Sequence, residues 1–208
     1  MKPSGKRSPG RPKATGQEDA TVKELILQTA STLFMEHGYD NVSLEQIANQ
    51  CGVTKASVYY YYTNKPTLFT TSVVQMMANI RRYTLLILQQ EGSLKERLQR
   101  IASAYLRQSH VEFDTLMREA GTSLSQEQLK EMREAENAVH REMAAEFAKA
   151  MEQGEIRKAN PLLAAHAFAS LMMLGNRVEA GDLFLAKDKA AEDIVDLFWN
   201  GVISPHNG

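Results

Sequence analysis

Residues 43 to 65 read SLEQIANQCGVTKASVYYYYTNK, a run of hydroxyl, ammonium and phenol groups suited to contacting a phosphate backbone and base edges. Thr54, Lys55 and Ser57 fall early on one short helix, where they can meet base edges or a nearby phosphate. Tyr59, Tyr60 and Tyr61 follow, with hydroxyls to donate to phosphates and rings to pack on sugars or thymine methyls. Ser43 opens the preceding helix and can offer hydroxyl and backbone N–H to phosphate. Lys65 adds a positive charge beside the start of the next helix. Four consecutive tyrosines cannot all enter one core, because each helical residue turns the side chain by about 100°.

Two short helices around a glycine turn would position these groups. Ser43 with Gln46 forms a capping-box pattern, and Leu44, Ile47, Ala48 and Cys51 share an apolar face. Gly52 can take the positive φ of a tight turn. Thr54 caps the second helix, on which Val58 and Tyr62 face inward, with Val53 also holding the pair together. The arrangement predicts a helix-turn-helix whose second helix enters a DNA major groove. The plainer reading, an αα-hairpin in a helical bundle, leaves the tyrosine run without partners.

The rest of the chain reads as helix after helix. An apolar stripe of Val22, Leu25, Ile26, Thr29, Ala30, Leu33 and Phe34 starts near Asp19 and ends at His37-Gly38. Asn64 and Pro66 open a long helix to about Gln90, and Ser93 with Glu96 opens helical pattern to about Ala120. Ser125 with Gln128 starts a charged amphipathic helix to about Gln153. Asn160-Pro161 starts another to about Glu179, and a last helix covers roughly Lys187 to Val202. No sustained strand alternation and no repeats occur. The expectation is an all-α chain of about nine helices: a disordered basic arm over 1–17, a helix-turn-helix domain over 18–65 and a C-terminal domain over 66–208.

The segment from Leu162 to Leu174, LLAAHAFASLMML, is apolar nearly all round and must be covered on two sides. With Ile194, Val195, Leu197, Phe198 and Val202 of the last helix it suggests a surface that pairs with a second copy, which would also supply the second DNA half-site.

Composition agrees with a globular protein that touches DNA at one end. The 208 residues are 43% hydrophobic and 24% charged, with a net charge of −1. Residues 1–65 carry eight basic against six acidic side chains, while the remainder carries sixteen against nineteen. The single cysteine excludes an internal disulfide and suits a reducing cytoplasm. No signal-peptide pattern and no confident membrane span are present. No phosphate-cradling glycine loop, dinucleotide fingerprint or nucleophile motif points to an enzyme. His110 and Asp114 lie at i, i+4, a spacing that lets two ligands reach one metal, and His140 and His166 lie on other helices that could converge with them. Without a His-Glu-x-x-His or paired-cysteine pattern, no metal and no cofactor are expected.

AxxLFMEHGYDNVSLEQIA from Ala30 to Ala48, CGVTKASVYYYYTNK from Cys51 to Lys65, and Leu68 with Phe69 resemble the tetracycline-repressor (TetR) family of transcriptional regulators. Tyr61 stands where that family often has His, Tyr62 where Phe usually packs inward, and Pro66 where an acidic residue is frequent. The resemblance implies a homodimeric repressor that a small molecule releases from a palindromic operator. It also implies a C-terminal effector pocket, for which Met76, Met77, Tyr83, Tyr105, Phe113, Met117, Met143, Phe147, Phe168 and Met172 are candidates. Gly10-Arg11-Pro12-Lys13 resembles the core of AT-hook segments, so Arg11 is expected in an A·T-rich minor groove. A DNA-binding regulator without a small ligand, controlled by a partner or acting as an activator, is the alternative.

Overall fold

The computed structural model describes residues 16–107, 113–176 and 187–202. Among these the chain is all-α. Its nine helices are α1 (Gly16–His37), α2 (Leu44–Cys51), α3 (Lys55–Tyr61), α4 (Lys65–Leu88), α5 (Leu94–Leu106), α6 (Phe113–Ala120), α7 (Gln126–Glu152), α8 (Pro161–Asn176) and α9 (Lys187–Val202).

The predicted start signals are realised as hydrogen bonds. Ser43 with Gln46, Ser93 with Glu96 and Ser125 with Gln128 all form reciprocal capping boxes, satisfying N–H groups that a helix start leaves without partners. Asn64 accepts from the Thr67 N–H at 2.8 Å to open α4, with Pro66 in its first turn. Asn160 does the same for α8 through Leu162 and Leu163.

Two apolar cores form. The first gathers Ile26, Phe34, Ile47 and Val58 from α1 to α3 with Leu68, Phe69 and Val73 of α4, Leu116 of α6 and Met132 of α7. Its centre is aromatic: the Phe69 ring meets Phe34 edge-on at 5.0 Å and Tyr39 at 4.8 Å between centroids. The second gathers Leu98 and Leu106 of α5, Phe147 of α7, Phe168 of α8, and Val195 and Phe198 of α9. The long helices α4 and α7 pack against each other and contribute to both cores. An ion pair of Arg97 with Glu146, 2.7 Å apart and mostly shielded from solvent, ties α5 to α7.

Three expectations need correcting. The helical pattern from Ser93 to about Ala120 is divided into α5 and α6, because Leu98 and Leu106 serve one core while Phe113, Leu116 and Met117 serve the other. In α1 the buried face is rotated by a residue: Leu27 is buried and Leu25 is exposed. In α9, Ile194, Val195 and Phe198 are buried within the subunit, leaving Leu197 as the exposed apolar residue there. On α8, Ala164, Ala165 and Phe168 face the core while Leu162, Leu163 and Leu174 remain exposed. No helix among the described residues is long and apolar enough to cross a membrane.

Candidate nucleic-acid interface

The α2–α3 unit is shaped by its ends. Gly52 takes φ +65° and its N–H reaches back to the Ala48 and Asn49 carbonyls, which closes α2 and reverses the chain. Thr54 then caps α3, its hydroxyl accepting from the Ser57 N–H at 3.1 Å and lying 2.9 Å from the Ser57 hydroxyl. Val58 and Tyr62 anchor α3 inward. The Tyr62 hydroxyl donates to the Lys23 carbonyl of α1 at 3.2 Å, and burial pushes its pKa up to about 12.

Around that anchor the tyrosine run separates by role. Tyr60 is 77% exposed and Tyr59 47% exposed, so both phenols face outward. Tyr61 is half-buried, and its hydroxyl donates to the Asp19 carboxylate on α1 at 2.7 Å. That bond raises the Tyr61 pKa and commits its proton to α1, so Tyr61 braces α3 where the sequence grouped it with its outward-facing neighbours. Tyr60 meets it edge-on at 5.0 Å.

Ser43, Lys55, Tyr59 and Lys65 converge on one groove of about 380 Å³, bordered also by Asp40, Glu45 and Asn64. The groove lies where α2, α3 and α4 present their starts or outer faces, so hydroxyls and cations share it. Lys55 is exposed and holds Glu45 at 3.4 Å, a loose pair that a phosphate could replace. Lys65 is half-buried, its ammonium 4.2 Å from the centroid of the Tyr39 ring. Burial lowers its pKa and Asp40 raises it again in part.

Tyr39 has no place among the sequence-based candidates, yet it organises one side of this groove. Its backbone N–H donates to the Glu119 carboxylate of α6 at 3.0 Å. Gly38, at φ +79°, makes room for that carboxylate: a Cβ there would stand 2.5 Å from Glu119 Oε2. Desolvation raises the Tyr39 phenol pKa, a rise that the Ser123 hydroxyl partly offsets. The only local hint of Tyr39 was its place beside the helix-ending glycine; nothing near Glu119 in the chain announced it.

Most of the expected effector-pocket residues divide between the two cores. Met77, Phe113 and Met117 are buried in the first core with Met76 against it; Met143, Phe147 and Phe168 are buried in the second, with Tyr105 and Met172 against it. Tyr83 is 60% exposed beneath the Arg82 guanidinium, on a side of α4 turned away from both cores. A second groove, of about 460 Å³, is lined by Glu96, Gln99, Arg100, Ser103, Ala104 and Arg107 along α5, none of them a predicted pocket residue.

Of the histidine candidates, His140 and His166 do meet, while Asp114 is engaged by Arg133 at 2.8 Å. Among the described residues no three His, Cys, Asp or Glu side chains are grouped to hold a metal. His110 and Arg11 lie outside the described residues.

A family model described as "Bacterial regulatory proteins, tetR family" matches residues 26–70, from the second half of α1 to the first turns of α4. The biofilm operon icaADBC HTH-type negative transcriptional regulator IcaR of Staphylococcus epidermidis is 42% identical over 52 residues, covering 25% of this chain. The match spans little more than a quarter, 28%, of that relative's length. The crystal structure of a TetR/AcrR-family transcriptional regulator from Thermobifida fusca superposes with a TM-score of 0.62 at 27% identity, covering 86% of this chain and 97% of that one. AibR, solved with isovaleryl coenzyme A and operator DNA, shares the fold at a TM-score of 0.65 and 22% identity, over 85% of this chain and 97% of its own.

Proposed function

We propose that this chain is a member of the TetR family of bacterial regulatory proteins and acts as a homodimeric, sequence-specific DNA-binding repressor in the cytoplasm. The observation that carries this reading is the groove where Ser43, Lys55, Tyr59 and Lys65 converge beside the outward Tyr60. It joins cations and hydroxyls on the face of a helix-turn-helix, the combination that positions a protein on phosphates. Thr54, Lys55 and Ser57 are the base-edge readers in this reading. Ser43, Tyr59, Tyr60 and Lys65 hold the backbone.

The second copy docks on Leu162, Leu163 and Leu174 of α8 and Leu197 of α9, apolar side chains left exposed by the subunit's own packing. Residues 18–65 serve as the reading head and 66–208 as the dimerising and effector-responsive body, with residues 1–17 as an arm that sets Arg11 in the minor groove. The effector is a small molecule admitted between the helices of the body; AibR is solved in complex with one small molecule, isovaleryl coenzyme A, together with operator DNA. The packing of Met143, Phe147 and Phe168 into core favours a second reading in which a partner protein, not a small ligand, supplies the signal.

The test is binding to an inverted repeat beside the protein's own coding region, titrated at several salt concentrations against a scrambled duplex. The repressor reading expects specific binding with two half-sites per dimer and release by a saturable small molecule. Equal affinity for both duplexes refutes specific recognition, and specific binding that no metabolite fraction releases selects the partner-controlled alternative.

A further inference from the structure

We propose that Glu119 of α6 is a positioning residue for DNA binding, which acts through Tyr39 to hold the Lys65 ammonium at the phosphate-facing groove. The inference rests on the repressor reading above and adds to it a route from the body of the protein to one cation of the interface.

Three contacts form the route. Glu119 accepts the backbone N–H of Tyr39 at 3.0 Å, across eighty residues of sequence. The Tyr39 ring lies under the Lys65 ammonium at 4.2 Å, and Lys65 lines the groove with Ser43, Lys55 and Tyr59. Gly38 keeps the first contact short, since any side chain there would collide with the carboxylate. Tyr39 has little freedom to adjust by itself, because Phe34 and Phe69 pin its ring in the first core. A shift of α6 relative to α1 must therefore move the Tyr39 backbone or break its bond.

The far end of α6 is gripped as well. Arg133 of α7 holds Asp114 at 2.8 Å and covers the Phe113 ring at 5.2 Å. Helix α6 is thus fastened at one end to α7 and at the other to the residue beneath Lys65. A signal that displaces α7 or α6 reaches the phosphate-binding lysine without any change in α2 or α3.

The experiment is a double-mutant cycle on a mixed-sequence DNA duplex three helical turns long, measured across a salt series. Lys65→Met removes the phosphate contact directly and should lower the slope of log affinity against log salt by about one. Glu119→Ala should weaken binding about tenfold, lower the slope by a similar amount, and add nothing in the Lys65→Met background. Glu119→Gln, whose amide oxygen can still accept from Tyr39, should restore most of the affinity. Should Glu119→Ala lose its helical signal, Glu119→Asp takes its place, with a carboxylate one methylene short of the Tyr39 N–H.

A Glu119 variant that weakens binding with an unchanged salt slope, or additively with Lys65→Met, overturns the inference and assigns Glu119 a purely structural role. So does a Glu119→Gln protein as weak as Glu119→Ala. The repressor reading fails separately, if the wild-type protein shows no salt-dependent affinity for duplex DNA at all.

Discussion

The imidazoles of His140 on α7 and His166 on α8 lie with ring centroids 4.1 Å apart and planes tilted by 33°. Burial and the neighbouring imidazole both lower the His140 pKa from its ordinary 6.5. Glu136, one turn earlier on α7, is raised by burial, while Arg133, Asp114 and His166 act on its charge. The pair joins the surface of α8 to the polar cluster that holds α6.

Acid should therefore loosen the α7–α8 contact. A depressed histidine pKa means that the unfolded chain takes up a proton where the folded chain does not, so stability rises with pH in that window. The His140 contribution is complete above the ordinary pKa and is lost as pH falls from there towards the lower folded value. Glu136 acts in the opposite sense at lower pH, because its folded form keeps its proton longer. Thermal melts across mildly acidic pH should show Tm falling with acid, and His140→Gln should flatten that fall. Identical profiles for the two proteins would count against the account.

Tyr60 and Tyr62 should fail in different assays. Tyr60→Ala removes a side chain that meets mainly solvent and the edge of Tyr61, so unfolding should change by no more than about 0.5 kcal/mol. Its affinity for operator DNA should fall about tenfold, the loss of roughly 1.4 kcal/mol of contact. Tyr62→Phe should cost about 1 kcal/mol of stability through the lost bond to the Lys23 carbonyl, with DNA affinity nearly unchanged. Urea melts and DNA titrations on both variants check the contrast.

Two glycines with similar backbones should not be equally sensitive. Gly52 at φ +65° faces open space, so Gly52→Ala should cost about 1–2 kcal/mol from the left-handed backbone alone. Gly38→Ala adds a clash with Glu119 and breaks the bond to Tyr39, for a total of about 3–4 kcal/mol. Equal shifts in the denaturant midpoints would show that the carboxylate moves aside freely.

Leu163 and Leu197 carry the subunit prediction. Both are more than half exposed, and neither is part of the subunit's own core. Leu163→Glu combined with Leu197→Glu should give a monomeric mass by sedimentation while helicity is retained. Operator affinity should then drop about a hundredfold, because two half-sites no longer bind as one. A dimer that survives both charges would move the interface elsewhere.

The helix starts were legible in the sequence because caps are local. Ser43, Ser93 and Ser125 each find a partner three residues on, Asn160 directly precedes Pro161 and Asn64 stands two residues before Pro66. The inward turn of Val58 and Tyr62 was legible for the same reason. Tyr61 was not, since its Asp19 partner lies forty-two residues away on α1. Periodicity also could not say which core a helix serves, so the boundary between α5 and α6 and the inward set of α9 emerged only from packing. Met and aromatic side chains marked buried positions correctly in most cases, but burial alone does not separate core from cavity.

Because α4, α6 and the start of α7 fill the first core, the reading head is not a detachable module ending at Lys65. A gene fragment cut there would bare the inner faces of Ile26, Phe34 and Ile47, which need Leu68, Phe69 and Leu116 against them. Grafting this head onto another body, to build a chimeric switch, therefore means carrying α4 and α6 along or redesigning the seam they leave.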